Sequence, residues 1–298
     1  MPRLTANDIE FEYDEIGPSD GEPIVLVMGF TAQMTKWPDA FRRGLADAGY
    51  RVIRFDNRDI GLSHQFDDAG MPNIPEIMQA AMAGQDASAL APYTLNDMAA
   101  DVAALIDALD AKPAHVIGAS MGGMIAQLVA LNHPEHVRSM IPVMTTSGDP
   151  SLPQATPEAM EALTAQPASA AREDVVKHGV WTQQVIGSHE SIRDSDAKLH
   201  DMTAASFDRA YRPIGAMRQY AAILSQPGWF ERLNGLDVPS LIMHGAADPL
   251  IPPAGGKDIA NRVPGARMVE LDKWGHDVPS VLVPDLLQHI TDFLGTLD

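Results

Sequence analysis

Two hydrophobic rhythms alternate along the chain. Ile9, Phe11 and Tyr13 interleave with Glu10, Glu12 and Asp14, a period of two that predicts a strand with one buried face. Asn7-Asp8 just before it predicts a hairpin turn from a short first strand. After the turn cluster Gly17-Pro18-Ser19-Asp20-Gly21, the run Ile24-Val25-Leu26-Val27-Met28 is apolar throughout, as in a strand covered on both faces. Further strands are predicted at 51–55, after Pro113, and at 137–144, 238–245 and 266–271. Helical patterns separate them. One carries Phe41 and Leu45. Another opens with Thr94 and Asp97 as a capping box and puts Leu95, Met98, Val102, Leu105, Ile106 and Leu109 on one stripe. Others follow Gly122 and occupy 256–263 and 284–297. Such alternation predicts an α/β chain with a mostly parallel central sheet and helices on both faces.

Two stretches break the alternation. Residues 64–93 form a long connection rich in Ala, Met, Gly and Pro, with room for a short helix at 74–83 beside an active-site entrance. Between 150 and 232 the strands cease, and helices are predicted at 157–164, 173–186 and 196–211. An all-helical insertion between two strands reads as a cap over the carboxyl edge of the sheet, where ligands bind in such folds. The expected organisation is one catalytic domain, 1–149 and 233–298, with a helical cap, 150–232, inserted between strands.

Composition narrows the function. The 298 residues are 45% hydrophobic, enough for one large core, and 21 basic residues face 40 acidic ones for a net charge of −19. Such a surface repels phosphate backbones and anionic lipid, so neither nucleic acid nor membrane is an expected partner. With no cysteine there is no thiol nucleophile, disulfide or thiolate metal site. The N-terminus lacks an apolar signal core and no run reaches the ~18 apolar residues of a membrane span. A cytoplasmic monomer or homodimer acting on a small molecule is the expectation.

The chemistry centres on Gly118-Ala119-Ser120-Met121-Gly122, a Gly-x-Ser-x-Gly run between a predicted strand and helix, the pattern of a nucleophile elbow. A serine forced out on so tight a turn has strained backbone, and small flanking residues relieve its crowding against strand and helix. The helix that follows aims free N–H groups and its positive dipole end at the serine oxygen. A serine hydroxyl needs a base, and the base an orienting acid, in the chain order Ser, Asp/Glu, His. Asp248 follows the strand ending at Met243, and His276 follows the strand ending at Leu271. Asp149, past the preceding strand, is an alternative acid. Asp272 and Asp277 lie too close to His276 along the chain to orient its ring easily, and His244 is expected to satisfy a neighbouring loop. Oxyanion donors are expected from the N–H groups of Met121 and Phe30, with Gly29 allowing close approach. None of the ten histidines falls in a His-Glu-x-x-His or comparable ligand spacing, so no metal is expected.

Over nearly its whole length the chain resembles the α/β-hydrolase superfamily. The resemblance rests on Met28-Gly29-Phe30, the run from Asp56 to Ser63, Gly118 to Gly123, Gly245-Ala246-Ala247-Asp248 and Gly275-His276. Within the superfamily, Trp37-Pro38-Asp39, Asp56-Asn57-Arg58-Asp59-Ile60-Gly61 and Gly275-His276-Asp277-Val278-Pro279 look most like the aclacinomycin methylesterase group, cofactor-free hydrolases of carboxylic esters. The resemblance implies Ser120 as nucleophile, His276 as base, Asp248 as acid, Phe30 and Met121 as oxyanion donors, and no cofactor. Two departures stand out: Met28-Gly29 replaces the common His-Gly, and Asp59 replaces the first glycine of Asp-x-Arg-Gly-x-Gly-x-Ser. Arg58 and Asp59 are expected to hold their loop beneath the first catalytic turn.

The leading expectation is therefore a serine carboxylesterase for small to medium apolar esters. A serine at the elbow argues against the dehalogenase and epoxide hydrolase branches, which use aspartate there. Alternatives are a C–C bond hydrolase, a proline iminopeptidase with Glu190, Asp194 or Asp196 holding a substrate amine, a cofactor-free perhydrolase, and a non-catalytic ligand receptor. Substrate contacts are expected from Gly29, Met144, Trp181, Met217 and Trp274. Met160, Met202, Phe207, Tyr211, Tyr220 and Trp229 are further cap candidates, most of them core by base expectation.

Overall fold

The computed structural model describes residues 2–297. Its eight-stranded sheet runs β1-β2-β4-β3-β5-β6-β7-β8, where β1 is Arg3–Ala6, β2 Ile9–Ile16, β3 Pro23–Val27, β4 Arg51–Phe55, β5 Ala114–Ala119, β6 Val137–Val143, β7 Leu241–Gly245 and β8 Arg267–Leu271. The first hairpin turns at Asn7 and Asp8, both with positive φ (49° and 61°), the backbone a tight two-residue hairpin demands. Strands β1 and β2 are antiparallel to their neighbours and every later pairing is parallel. The runs without polar alternation are the central strands: β5 and β7 are buried at every position, and β3 lies between β4 and β5.

Each face of the sheet has its own helices because each helix presents one apolar stripe. Helices α3 (Leu95–Ala108) and α4 (Met121–Asn132) cover one face with Leu95, Met98, Val102, Ile106, Ile125 and Leu128. Thr94 and Asp97 form the reciprocal capping box that starts α3. The other face is covered by α1 (Asp39–Asp47) and α10 (Val283–Leu294), through Phe41, Leu45, Leu286, Ile290 and Phe293. Trp37 stacks on Phe41 at 5.3 Å between ring centroids, a contact worth about 0.5–1.5 kcal/mol beyond its buried area. Glu12 on β2 departs from the alternating pattern: it is buried, and Arg3 Nε reaches its carboxylate at 3.0 Å.

Between β6 and β7 the chain is helical: α5 (Pro157–Thr164), α6 (Arg172–Ile186), α7 (Asp196–Arg209) and α8 (Pro213–Ser225). The first three match the expected stretches to within about two residues. Helix α8 has no counterpart in the sequence reading. Its inward positions are Gly215, Arg218, Gln219, Ala221, Ala222 and Ser225, so no large apolar stripe betrays it. The long connection before α3 does contain a helix, α2 (Ile74–Met82), whose Ile77 clusters with Ala221 of α8 and with Ala87 of the loop that follows. Helix α9 (Ala254–Arg262) completes the set. Among the described residues no helix is long and apolar enough to cross a membrane.

Candidate active site

Parallel strands deliver their following loops to one sheet edge, and the candidate residues lie there. Ser120 joins β5 to α4 at φ 56° and ψ −121°, a conformation that costs a non-glycine residue about 1–3 kcal/mol. What demands the flanking glycines is space. A Cβ on Gly118 would fall 2.0 Å from the Gly122 carbonyl oxygen, and one on Gly122 would fall 2.1 Å from that of Val27. The turn is pinned from both sides: Ser120 N–H donates to Val143 O (2.9 Å), and Ser120 O accepts from Gly123 N (2.8 Å) and Thr145 Oγ1 (2.7 Å). Among the described residues Ser120 Oγ makes no hydrogen bond. In ligand-free sites such bonds often tighten only when substrate arrives.

Asp248 and His276 meet across the ends of the adjacent strands β7 and β8, with Asp248 Oδ2 2.7 Å from His276 Nδ1. Leu250 N–H and Ile251 N–H both donate to Asp248 Oδ1 at 2.9 Å, so this carboxylate is fixed before it touches the ring. Burial pushes the Asp248 carboxyl up. The charge of His276 and hydrogen bonds from His244, His276 and Ile251 more than offset this and hold it at about 2. A carboxyl lowered from 3.8 to about 2 contributes about 2 kcal/mol of stability, fully present above pH ~4 and lost as the pH falls towards 2. The Tm gap between wild type and Asp248→Asn is therefore expected to narrow over that interval, as read by thermal melts in a pH series. His244 satisfies its loop as expected, 2.8 Å from Ile251 O.

The alternative acid, Asp149, is engaged elsewhere. Its Oδ2 accepts from Arg262 Nη2 (2.6 Å) and its Oδ1 from the Ser151 hydroxyl (2.7 Å). Asp277 points to the helical insertion, where Ser188 N–H and Oγ–H donate to it at 3.1 and 2.5 Å. Burial pushes the Asp277 carboxyl up, against the pull of those two hydrogen bonds.

The loop after β3 passes beside the serine: a Cβ added to Gly29 would lie 3.5 Å from Ser120 Oγ. Gly29 O accepts from Ala32 N (3.2 Å), so the N–H of Phe30, trans to that carbonyl in one peptide plane, points the other way. Met121 opens α4, where helix geometry leaves the first N–H groups free. Arg58 and Asp59 are structural, as expected. Arg58 forms a bidentate pair with Asp101 (2.6 Å each) and lies over Phe66 and Tyr93. Asp59, with φ 68°, pairs bidentately with Arg218 of α8 and accepts from Tyr93 Oη.

The expected substrate contacts differ in exposure. Met217 is half-buried on α8, and Trp181 on α6 is 36% exposed beside His178. Met144 is 6% exposed, its N–H bonded to Met243 O. Trp274 has no exposed surface; it packs in the α1/α10 core and donates from Nε1 to Asp277 O (2.6 Å), so it supports the histidine loop from below. Trp229 is likewise core, bonded to Gln127 Oε1 (3.1 Å). An indole large enough to line a pocket is large enough to fill a core, and its sequence position does not distinguish the two. Met160 is 40% exposed, whereas Met202, Phe207, Tyr211 and Tyr220 are half-buried. One cluster among the described residues has ligand geometry for a metal, His133, Glu135 and His136. It precedes β6, at the edge away from Ser120, and the Lys112 ammonium already sits 3.3 Å from His136 Nε2.

The sheet order and the side chains gathered at its carboxyl edge are those of an α/β hydrolase. The chain belongs to that family: the alpha/beta hydrolase fold profile matches residues 22–280. Rhodomycin D methylesterase DauP from Streptomyces sp. (strain C5) is 28% identical, with 93% of this chain and 92% of that protein covered. Rhodomycin D methylesterase DnrP from Streptomyces peucetius is 27% identical over the same shares. Among solved structures, the meta-cleavage product hydrolase of Pseudomonas fluorescens IP01 superposes with a TM-score of 0.77 at 16% identity, covering 100% of this chain and 98% of that one.

Proposed function

We propose that this protein is a serine carboxylic ester hydrolase working through an acyl-enzyme. Two methylesterases match 93% of it, and an ester-cleaving hydrolase is the chemistry that joins them to this site. The observation that carries the mechanism is the 2.7 Å bond from His276 Nδ1 to Asp248, past the ends of β8 and β7 on the same sheet edge as the elbow. With Nδ1–H committed to the carboxylate, Nε2 keeps its lone pair for the proton of Ser120 Oγ. Ser120 attacks the ester carbonyl, the oxyanion is received by the N–H groups of Phe30 and Met121, and His276 returns the proton to the departing alcohol. Water then repeats the sequence to release the acid. The α5–α8 insertion acts as the cap that shapes the acyl and alcohol sites. No step requires a metal or organic cofactor.

Two of the acids that an iminopeptidase would aim at a substrate amine, Asp194 and Asp196, are otherwise employed. Asp194 accepts from Lys198 Nζ and the Ser280 hydroxyl (3.2 Å each), and Asp196 pairs with Arg193 (3.3 Å). A panel of methyl and p-nitrophenyl esters of graded acyl length, run beside an aminoacyl arylamide and a vinylogous ketone, tests the reading. Turnover is expected for short to medium neutral esters, at least 100-fold above the other two. Preferred cleavage of the arylamide or the ketone would overturn it.

A further inference from the structure

One turn of α8 grips both loops beneath the nucleophile through three consecutive residues. Arg218, 1% exposed, binds Asp59 through two hydrogen bonds of 2.8 and 2.7 Å and also reaches Gly70 O (3.0 Å). Tyr220 lies against the ring of Phe30, centroids 5.9 Å apart. Between them Gln219, with no exposed surface, accepts from Thr31 N–H (3.1 Å) and donates to Arg58 O (2.9 Å). A backbone donor on one side and a backbone acceptor on the other leave the amide only one orientation. Helix α8 can approach so closely because Gly215 has no Cβ, which would lie 2.1 Å from Asp59 O.

Resting on the ester hydrolase reading, we infer that Gln219 is a positioning residue of the oxyanion hole, holding the Phe30 N–H in its productive direction from the helical insertion. Two adjacent peptide planes decide where that N–H points. The Gly29–Phe30 plane is tied by the Ala32-to-Gly29 bond, and the Phe30–Thr31 plane is tied by Gln219. Thr31 has φ 62°, so the loop occupies a strained bend that relaxes when its restraint is removed. On the far side Asn57 Nδ2 donates to Met28 O (2.8 Å), so the strand leading into the loop is already anchored and Gln219 supplies the missing second hold. This part of the insertion is thus catalytic scaffold rather than a free lid.

The test is Gln219→Met, which keeps length and volume and removes both bonds. On the preferred ester, kcat is expected to fall about 10- to 100-fold with KM within twofold, since a donor misaimed by a fraction of an ångström costs only transition-state binding. The affinity for a trifluoromethyl ketone, whose hemiketal with the serine carries the oxyanion, should fall by the same factor. Unchanged kcat and ketone affinity in a folded variant would overturn the inference, as would equal losses in kcat and 1/KM with ketone affinity retained. Amide exchange on the wild-type chain tests it independently of how the variant folds. The Thr31 amide should be protected without ligand and the Phe30 amide only with the ketone bound; a Thr31 amide exchanging at the free-loop rate would overturn it. Should wild type neither cleave esters nor bind the ketone, the ester hydrolase reading itself has failed, a result distinct from an active wild type beside an unimpaired variant.

Discussion

Ser120→Ala is expected to lower kcat on any ester substrate by roughly 10⁵- to 10⁶-fold, the loss typical when the nucleophile of a triad is removed, equivalent to about 7–8 kcal/mol of barrier. The same change should leave Tm within about 1 °C. Alanine retains the Cβ, so the strain of φ 56° is unaltered, and Ser120 Oγ makes no hydrogen bond among the described residues that the variant would lose. The helix start, the bond to Val143 O and the glycine contacts all involve backbone and are untouched. Intact-mass spectrometry after treatment with a fluorophosphonate should show one adduct on wild type and none on Ser120→Ala. Full activity in the variant would place the nucleophile elsewhere.

Asp248→Asn should cost about 10³- to 10⁴-fold in kcat, or about 4–5 kcal/mol, by reversing the tautomer of the base. Leu250 and Ile251 N–H groups both require an acceptor at Oδ1, so the asparagine keeps its carbonyl there and turns Nδ2 towards His276. The ring must then accept at Nδ1 and carry its proton on Nε2, where it cannot take the serine's proton. The imidazolium formed during the reaction also loses the counter-charge now 2.7 Å away. Asp149→Asn is the control: its carboxylate serves Arg262 and Ser151, so kcat should stay within about threefold. A large loss at Asp149 with a small one at Asp248 would reverse the assignment of the acid.

How much of this was readable before folding depended on how local each signal is. The elbow was legible because strand, strained serine, crowding relief and helix start occupy about ten contiguous residues, and each leaves its own mark. The Thr94–Asp97 box and the Asn7-Asp8 turn were legible for the same reason. Asp248 was separable from Asp149 only weakly, since both follow strands; the Arg262 partner that removes Asp149 lies 113 residues away. Helix α8 escaped because its buried face is built from glycine, alanine, arginine and glutamine, whose burial depends on partners in other loops. Trp229 and Trp274 suggested a pocket and proved to be core.

By itself the sequence determined the α/β alternation, the place of the helical insertion, the strained serine turn and the order of candidate acid and base, because periodicity, caps and turn chemistry act over a few residues. Only the tertiary structure decided which aspartate meets His276, which tryptophans are core, and that α8 holds the loop beside Ser120. Those outcomes depend on where distant segments of chain come to rest against one another, and one buried arginine or glutamine with two well-placed partners is enough to decide them.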